Sequence, residues 1–333
     1  MRGLIDIENT FIDFTTAGSQ IDLPDLEVWA PEVKALRQTP VAQLGLIGFK
    51  GNFKGTPYDF FVNGNFTTNV GPVDAELKLK LTQPGLGYSG TIKRAALDGG
   101  KLFGVPKLGN LIFSGRVQSD GFGLENPVNF LGKLDELTYN NYTYRYLNVG
   151  SVFEDYLLTA NLMINDSNLT GNIITSLDFR EKQQRYNAKG SVDYANFQKL
   201  KLFGDTLIFN GDFDVDFKGN TIDDFLGYAR FYNASVSTGR QPLNFDSLLM
   251  ESTISESGIK RLSLLTNEAS AFVEGNFELS RLGNSFGLFL NRYYPALIKA
   301  PEGEVPGQDF SFEVKTRKVE PFLRLFDKDI GGG

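Results

Sequence analysis

Cysteine and histidine are both missing from this 333-residue chain, and tryptophan occurs once. Without cysteine there is no disulfide framework, no thiolate nucleophile and no cysteine-held zinc or iron–sulfur centre. Without histidine there is no Ser-His-Asp triad, no imidazole metal ligand and no ordinary proton shuttle near neutral pH. Basic runs are missing too. Thirty-three Lys and Arg stand against 40 Asp and Glu, a net charge of -7, and nucleic acid drops out as a partner because phosphate binding needs a basic stripe. No apolar run approaches the ~20 residues of a membrane helix, and the start does not read as a signal peptide. These absences leave a soluble protein, or a soluble piece of something larger. The closing Gly331 to Gly333 favours the piece.

What the chain has in quantity is Phe (29) and Gly (36), residues suited to half-buried pleated surfaces and to tight turns or bulges respectively. Strict two-residue alternation runs along most of the length. Val73, Ala75, Leu77, Leu79 and Leu81 alternate with Asp74, Glu76, Lys78 and Lys80. Leu158, Ala160, Leu162 and Ile164 repeat the pattern, as do Ile173 to Phe179 and the trio Phe213, Val215 and Phe217, set against Asp212, Asp214 and Asp216. Val273, Gly275, Phe277 and Leu279 follow, then Phe310, Phe312 and Val314. Successive strand side chains point to opposite faces, so each segment has one apolar and one polar face, the antiparallel signature.

Turn residues separate the segments, as at Asn69 to Pro72, Asn140-Asn141 and Asn165 to Asn168. The tripeptide Gly-Asn-Phe recurs at Gly51, Gly64 and Gly275, with a Gly-Asp-Phe variant at Gly211. The repeat has no fixed period, which suits a meander better than a propeller or solenoid. Helices are few. Phe286, Phe289, Leu290 and Tyr293 share one helical face, ended near Pro295, and Pro31 to Arg37 and Pro321 to Phe326 suit a turn or two each. No composition break marks a linker, so residues 1–333 read as one continuous unit.

Candidate chemistry is thin. Asp212, Asp214 and Asp216 lie about 6–7 Å apart on one strand face, too far for one ion without further ligands, and read as a solvated outer face. Asp223-Asp224 reads as a helix start and Asp166-Ser167-Asn168 as an Asx turn. Tyr142, Tyr144 and Tyr146 form a stripe of the kind that stacks sugars or bases, and also of the kind that edges a half-buried sheet. The sequons at Asn141 and Asn168 matter only in a glycosylating pathway. No catalytic residue, cofactor or metal ligand is assigned. What remains is the summed apolar face, which a sandwich or barrel would bury against itself and a trough would leave as a lining for acyl chains.

Several stretches resemble the TamB family, the inner-membrane component of the translocation and assembly module, related to the AsmA-like proteins. They are GFKGNFKGTPYDFFVNGNFTTNVGPVDAELKLKL from Gly48, GKLDELTYNNYTYRYLNV from Gly132 and INDSNLTGNIITSLDF from Ile164. FNGDFDVDFKGNTIDDFLGYARFYN from Phe209 and RLSLLTNEASAFVEGNFELSRLGNSFGLFLNRYYPAL from Arg261 continue the likeness over most of the chain. The resemblance implies an all-β fold: an elongated, curled antiparallel sheet, a β-taco or repeating β-groove, with an apolar interior and few short helices. It implies a periplasmic segment of a protein anchored in the inner membrane by a part not in this chain. The groove would conduct phospholipid acyl chains between the inner and outer membranes. An outer-membrane assembly-type β-barrel partner would be met through a region outside this chain. On this reading the groove is lined by Val73, Leu77, Leu79, Leu81, Leu158, Leu162 and Ile164, then by Phe213, Val215, Phe217, Val273, Phe277 and Leu279. About sixteen strands at ~4.8 Å spacing would make a body roughly 75 Å long. Two other readings remain: a periplasmic chaperone that assists outer-membrane protein insertion by strand addition, and an outer-membrane β-barrel.

Overall fold

Alternating apolar and polar residues make strands half-buried, and strands are what most of this chain forms. The computed structural model describes residues 10–29, 31–81, 87–219, 221, 223–239, 242–296, 299–301 and 307–316. Among these residues seventeen strands make an antiparallel sheet that is not closed, accompanied by a few short helices. The turn expected at Pro321 to Phe326 lies outside the described residues. The chain divides into two compact units, one comprising residues up to Ser176 with Asn196–Gly204, the other Leu177–Ala195 with everything after Asp205.

In the first unit, β1 (Ile12–Ile21), β2 (Ile47–Thr56), β3 (Asp59–Thr68), β4 (Gly71–Lys80) and β5 (Gly87–Asp98) pair in sequence order. The meander continues through β6 (Leu108–Ser119), β7 (Val128–Tyr139), β8 (Tyr142–Glu154) and β9 (Leu157–Asp166), with β10 (Leu169–Asp178) next. Register keeps the apolar sets on one face. At two of the bulges, two charged residues in succession absorb the shift. Lys93 and Arg94 fall together between Ile92, opposite Ala75, and Ala95, opposite Val73. Asp135 and Glu136 do the same between Leu134 and Leu137. Each bulge turns a pair of charges outward and restores the apolar side chain to the inner face.

The repeated glycines act where strands come closest. Gly51 stands directly opposite Gly64. A Cβ on Gly51 would lie 2.2 Å from the Asn63 carbonyl oxygen and 2.7 Å from the Gly64 Cα. Gly115 and Gly132 form a second such pair, and the Phe130 ring covers both, its atoms 2.9 and 2.7 Å from the positions their Cβ atoms would take. Backbones this close exclude any side chain, so these pairs are lines along which the sheet can bend sharply.

Short helical segments cover the ends of the first unit's apolar face. They are α1 (Leu23–Trp29), 3-10 turns at Pro31–Gln38 and Pro40–Leu44, and α2 (Gly99–Phe103). Val33, from the first 3-10 turn, is buried with Leu81 and Phe122 against Phe60, Leu79 and Tyr88. Leu44 and Leu102 pack on Val70, Ala95 and Leu97.

The second unit holds β11 (Arg185–Asn196), β12 (Ile208–Lys218), β13 (Leu226–Ser237), β14 (Leu243–Ile254), β15 (Lys260–Thr266), β16 (Ala269–Asn276) and β17 (Asp309–Thr316). From β12 to β17 each strand pairs with the next. Helix α3 (Leu279–Tyr293) is longer than the expected segment from Phe286. Leu279, expected to close a strand's apolar row, is instead the first helical residue. The strand ends at Asn276, and Asp223 supplies the hydrogen-bond acceptor that starts a helix: its carboxylate receives the Ser280 N–H and hydroxyl, both at 2.8 Å. Asp223 and Asp224 themselves form a turn, so the helix Asp223 starts is a distant one.

Candidate functional site

Ten of the thirteen lining positions fall on strands and are placed by register, while Leu81, Phe277 and Leu279 lie beyond strand ends. One cross-strand row of the first unit runs Phe49–Phe66–Val73–Ala95–Phe113–Leu134–Leu147–Ile164. The next contains Gly51, Gly64, Ala75, Ile92, Gly115, Gly132, Val149 and Leu162. A third contains Phe53, Val62, Leu77, Gly90, Val117, Phe130, Ser151 and Ala160. From β2 to β9 these three rows hold no charged residue. Leu79, opposite Phe60 and Tyr88, and Leu158, opposite Phe153, lie on the same face. Leu81 and Ile164 are buried, whereas Val73, Leu77, Leu79, Leu158 and Leu162 are half-buried.

The opposite face is polar, as in the row Lys50–Asn65–Asp74–Arg94. Stacked rings stiffen the apolar side. Phe49 and Phe66 lie 5.0 Å apart between centroids, and Phe53 and Phe60 4.6 Å apart. Such pairs are worth about 0.5–1.5 kcal/mol each beyond the area they bury.

In the second unit Phe217, Gly227, Ser252, Leu262, Val273 and Phe312 form one row, and Val215, Ala229, Met250, Leu264, Ala271 and Val314 the next. Phe213 lies opposite Phe231 and Leu248. Helix α3 lies on this face. Leu282 and Leu279 pack with Val273 and the buried Phe277, and Phe286 and Phe289 meet Phe312 at 4.8 and 5.9 Å between centroids. Leu290 and Tyr293, from the same expected stripe, are exposed. The stripe is thus engaged along its first turns only.

A lysine interrupts the apolar face of this unit. Lys260 occupies an inward strand position, opposite Gly275, and is 9% exposed. Its ammonium donates to the Asp223 carbonyl oxygen at 2.6 Å and lies 5.6 Å from the centre of the Phe277 ring. Burial pulls its pKa below the usual lysine value, against the attraction of Asp223 and Asp224. The alternation Lys260–Leu262–Leu264 carries the signal for this inward lysine. The Ser252 hydroxyl, 1% exposed, has no hydrogen-bond partner among the described residues.

The other sequence candidates resolve into local structure. Asp212 accepts from Asn233 at 3.1 Å, Asp214 from the Tyr228 hydroxyl at 3.3 Å, and Asp216 from Arg185 at 2.8 and 2.7 Å. Three half-buried carboxylates thus have three separate cross-strand partners and do not converge. The Arg185 guanidinium holds Asp216 below the usual carboxylate range. Among the described residues no group of three or more Asp or Glu could hold a metal ion.

The tyrosine stripe is broken. Tyr142 and Tyr144 meet edge to face at 4.8 Å, but Tyr146 sits at φ +57° and is exposed. Asp166 is buried in the turn expected of it, receiving the Tyr142 hydroxyl, the Arg145 N–H at 3.0 Å and the Asn168 N–H at 2.8 Å.

An apolar cavity of about 260 Å³ opens between α1, the 3-10 turns and β2, lined by Leu23, Leu26, Leu36, Val41, Leu46 and Ile47. It falls short of the roughly 300–1,000 Å³ clefts that hold whole small ligands; a wide-open hollow of about 650 Å³ lies along Gln198 to Gly204. Among the described residues no helix is long and apolar enough to cross a membrane. No family model, curated protein or solved structure matches this chain.

Proposed function

We propose that the apolar sheet face binds acyl chains and serves as a segment of a lipid-conducting groove, without covalent chemistry. The observation that carries this reading is the set of uncharged rows from β2 to β9 on one face of an unclosed sheet, half-buried at Val73, Leu77 and Leu162. A sandwich would bury such rows under a second sheet and a barrel would close over them. A face left partly open is suited to a mobile apolar cargo, because an acyl chain gains by leaving water and needs no fixed polar partner. The TamB-like phrases give the setting. The chain would be part of a periplasmic body that passes phospholipid from an inner-membrane anchor towards the outer membrane and its assembly machinery. Purification of the chain without detergent, followed by mass spectrometry of the organic extract, tests the reading. Diacyl phospholipid should be recovered in stoichiometric amount. Lipid-free protein from cells with intact envelopes would overturn it.

A further inference from the structure

Three loops at one end of the first unit combine exposed apolar side chains with unpaired lysines. The turn between β7 and β8 ties the other two to itself: the Asn140 N–H donates to the Lys107 carbonyl at 2.9 Å, and the Asn140 side-chain amide donates to the Lys201 carbonyl at 2.9 Å. The segment Asn196–Gly204 is rigid rather than slack. Leu202 N–H reaches back to the Phe197 carbonyl at 2.9 Å and Lys201 N–H to the Gln198 carbonyl at 3.1 Å, with Lys201 at φ +61°, the Schellman closure of a helical turn. Leu200, 1% exposed, anchors it. The same closure thrusts Leu202 (49% exposed) and Phe203 (56%) into solvent. Phe103, Val105 and Tyr139, from the neighbouring loops, are exposed as well.

Around these stand Lys107, Lys199 and Lys201, all exposed and without an ion pair among the described residues, whereas Lys101 pairs with Asp98 at 3.4 Å. The carboxylate of Asp166, in the adjoining turn, is buried and faces inward. Asp205, the residue after Gly204, is exposed, so three lysines stand against one open carboxylate, and a chain of net charge -7 carries a local patch that is net basic as well as apolar.

We infer that this end of the first unit docks onto the surface of an anionic lipid bilayer, with Leu202 and Phe203 entering the headgroup boundary and Lys107, Lys199 and Lys201 meeting the lipid charge. Aromatic and aliphatic side chains gain by entering that boundary, and long lysine stems let the ammonium groups stay at the headgroups. The inference goes beyond the acyl-conducting reading and uses none of its residues.

Flotation of the full chain with vesicles tests it. The protein should rise with vesicles of phosphatidylcholine containing about one-third phosphatidylglycerol, and should stay down with pure phosphatidylcholine or in about 0.5 M salt. Each lysine near an anionic surface is worth about fivefold in affinity, so Lys107→Glu/Lys199→Glu/Lys201→Glu should weaken binding about 100-fold or more. Leu202→Ser/Phe203→Ser should also abolish flotation, with the thermal melt unchanged because both side chains are already in water. Leu77→Asp, on the sheet face, should still float. Equal binding to neutral vesicles, no binding to anionic ones, or undiminished flotation of the lysine variant would each overturn the inference.

Discussion

Asp223 caps helix α3 from a loop 57 residues earlier in the chain, its carboxylate receiving both the N–H and the hydroxyl of Ser280. The same residue's carbonyl holds the buried Lys260 ammonium. One turn thus fixes the start of a helix and gives the buried Lys260 ammonium a hydrogen-bond acceptor.

Replacing Asp223 should loosen α3. Asp223→Ala removes a cap worth about 1 kcal/mol, and should lower the melting temperature of a unit this size by about 2–4 °C. Hydrogen bonds from Ser280 hold the Asp223 carboxyl below its usual pKa. Its stabilisation is therefore full above the unfolded carboxylate value and lost as pH falls through the lower folded one. Asp223→Asn should flatten the stability curve in the acid range below about pH 4, which chemical denaturation at stepped pH would show.

Lys260 shifts stability in the same direction with pH but in the alkaline range, and here it is the charged form that folding disfavours. Its folded pKa is lowered, so in the alkaline range the unfolded chain binds more protons than the folded one, and stability rises with pH up to the ordinary lysine value. Lys260→Met keeps an apolar stem beside Phe277 and removes the charge. Urea unfolding near neutral pH should find it as stable as the parent or more so, with the alkaline rise gone. A loss of more than about 1 kcal/mol would mean that the bond to the Asp223 carbonyl outweighs the cost of burying the ammonium.

The paired glycines can be tested against an internal control. Gly51→Ala sets a methyl group against the Asn63 carbonyl oxygen and Gly64, which should cost about 1–3 kcal/mol in urea unfolding. Gly18→Ala, in β1, meets nothing within 4 Å and should change stability by less than about 0.5 kcal/mol. Equal effects at both sites would remove the close-approach role of Gly51.

The strands were legible because alternation at Val73–Leu81 and Leu158–Ile164 leaves only one way to bury a face. The bulges left a fainter trace, the doubled polar residues Lys93-Arg94 and Asp135-Glu136, which interrupt a strict period of two. Tyr146 departs from the stripe through a left-handed backbone, φ +57°, which spacing alone does not reveal. Leu279 misled because its cap comes from Asp223, a tertiary partner with no local signal, and the period-two pattern runs on through Phe277 as if the strand continued. Lys260 leaves only a faint signal, its alternation with Leu262 and Leu264, because a lysine beside serines looks like an outer-face residue until its register opposite Gly275 is known.

Photocrosslinking of a phospholipid analogue to the intact chain is the most direct measurement of an acyl-binding face. Labels should map to inner-face neighbours such as Leu77, Leu162 and Val215, and not to outward Lys78 or Asp74. Leu77→Asp and Val215→Asp should remain folded by circular dichroism, because a partly open face can hydrate a new charge, yet lose at least tenfold in crosslinking yield. In a sealed core the same charges would cost several kcal/mol and unfold the protein. Unfolding of both variants, or undiminished crosslinking in folded ones, would contradict the acyl-binding face.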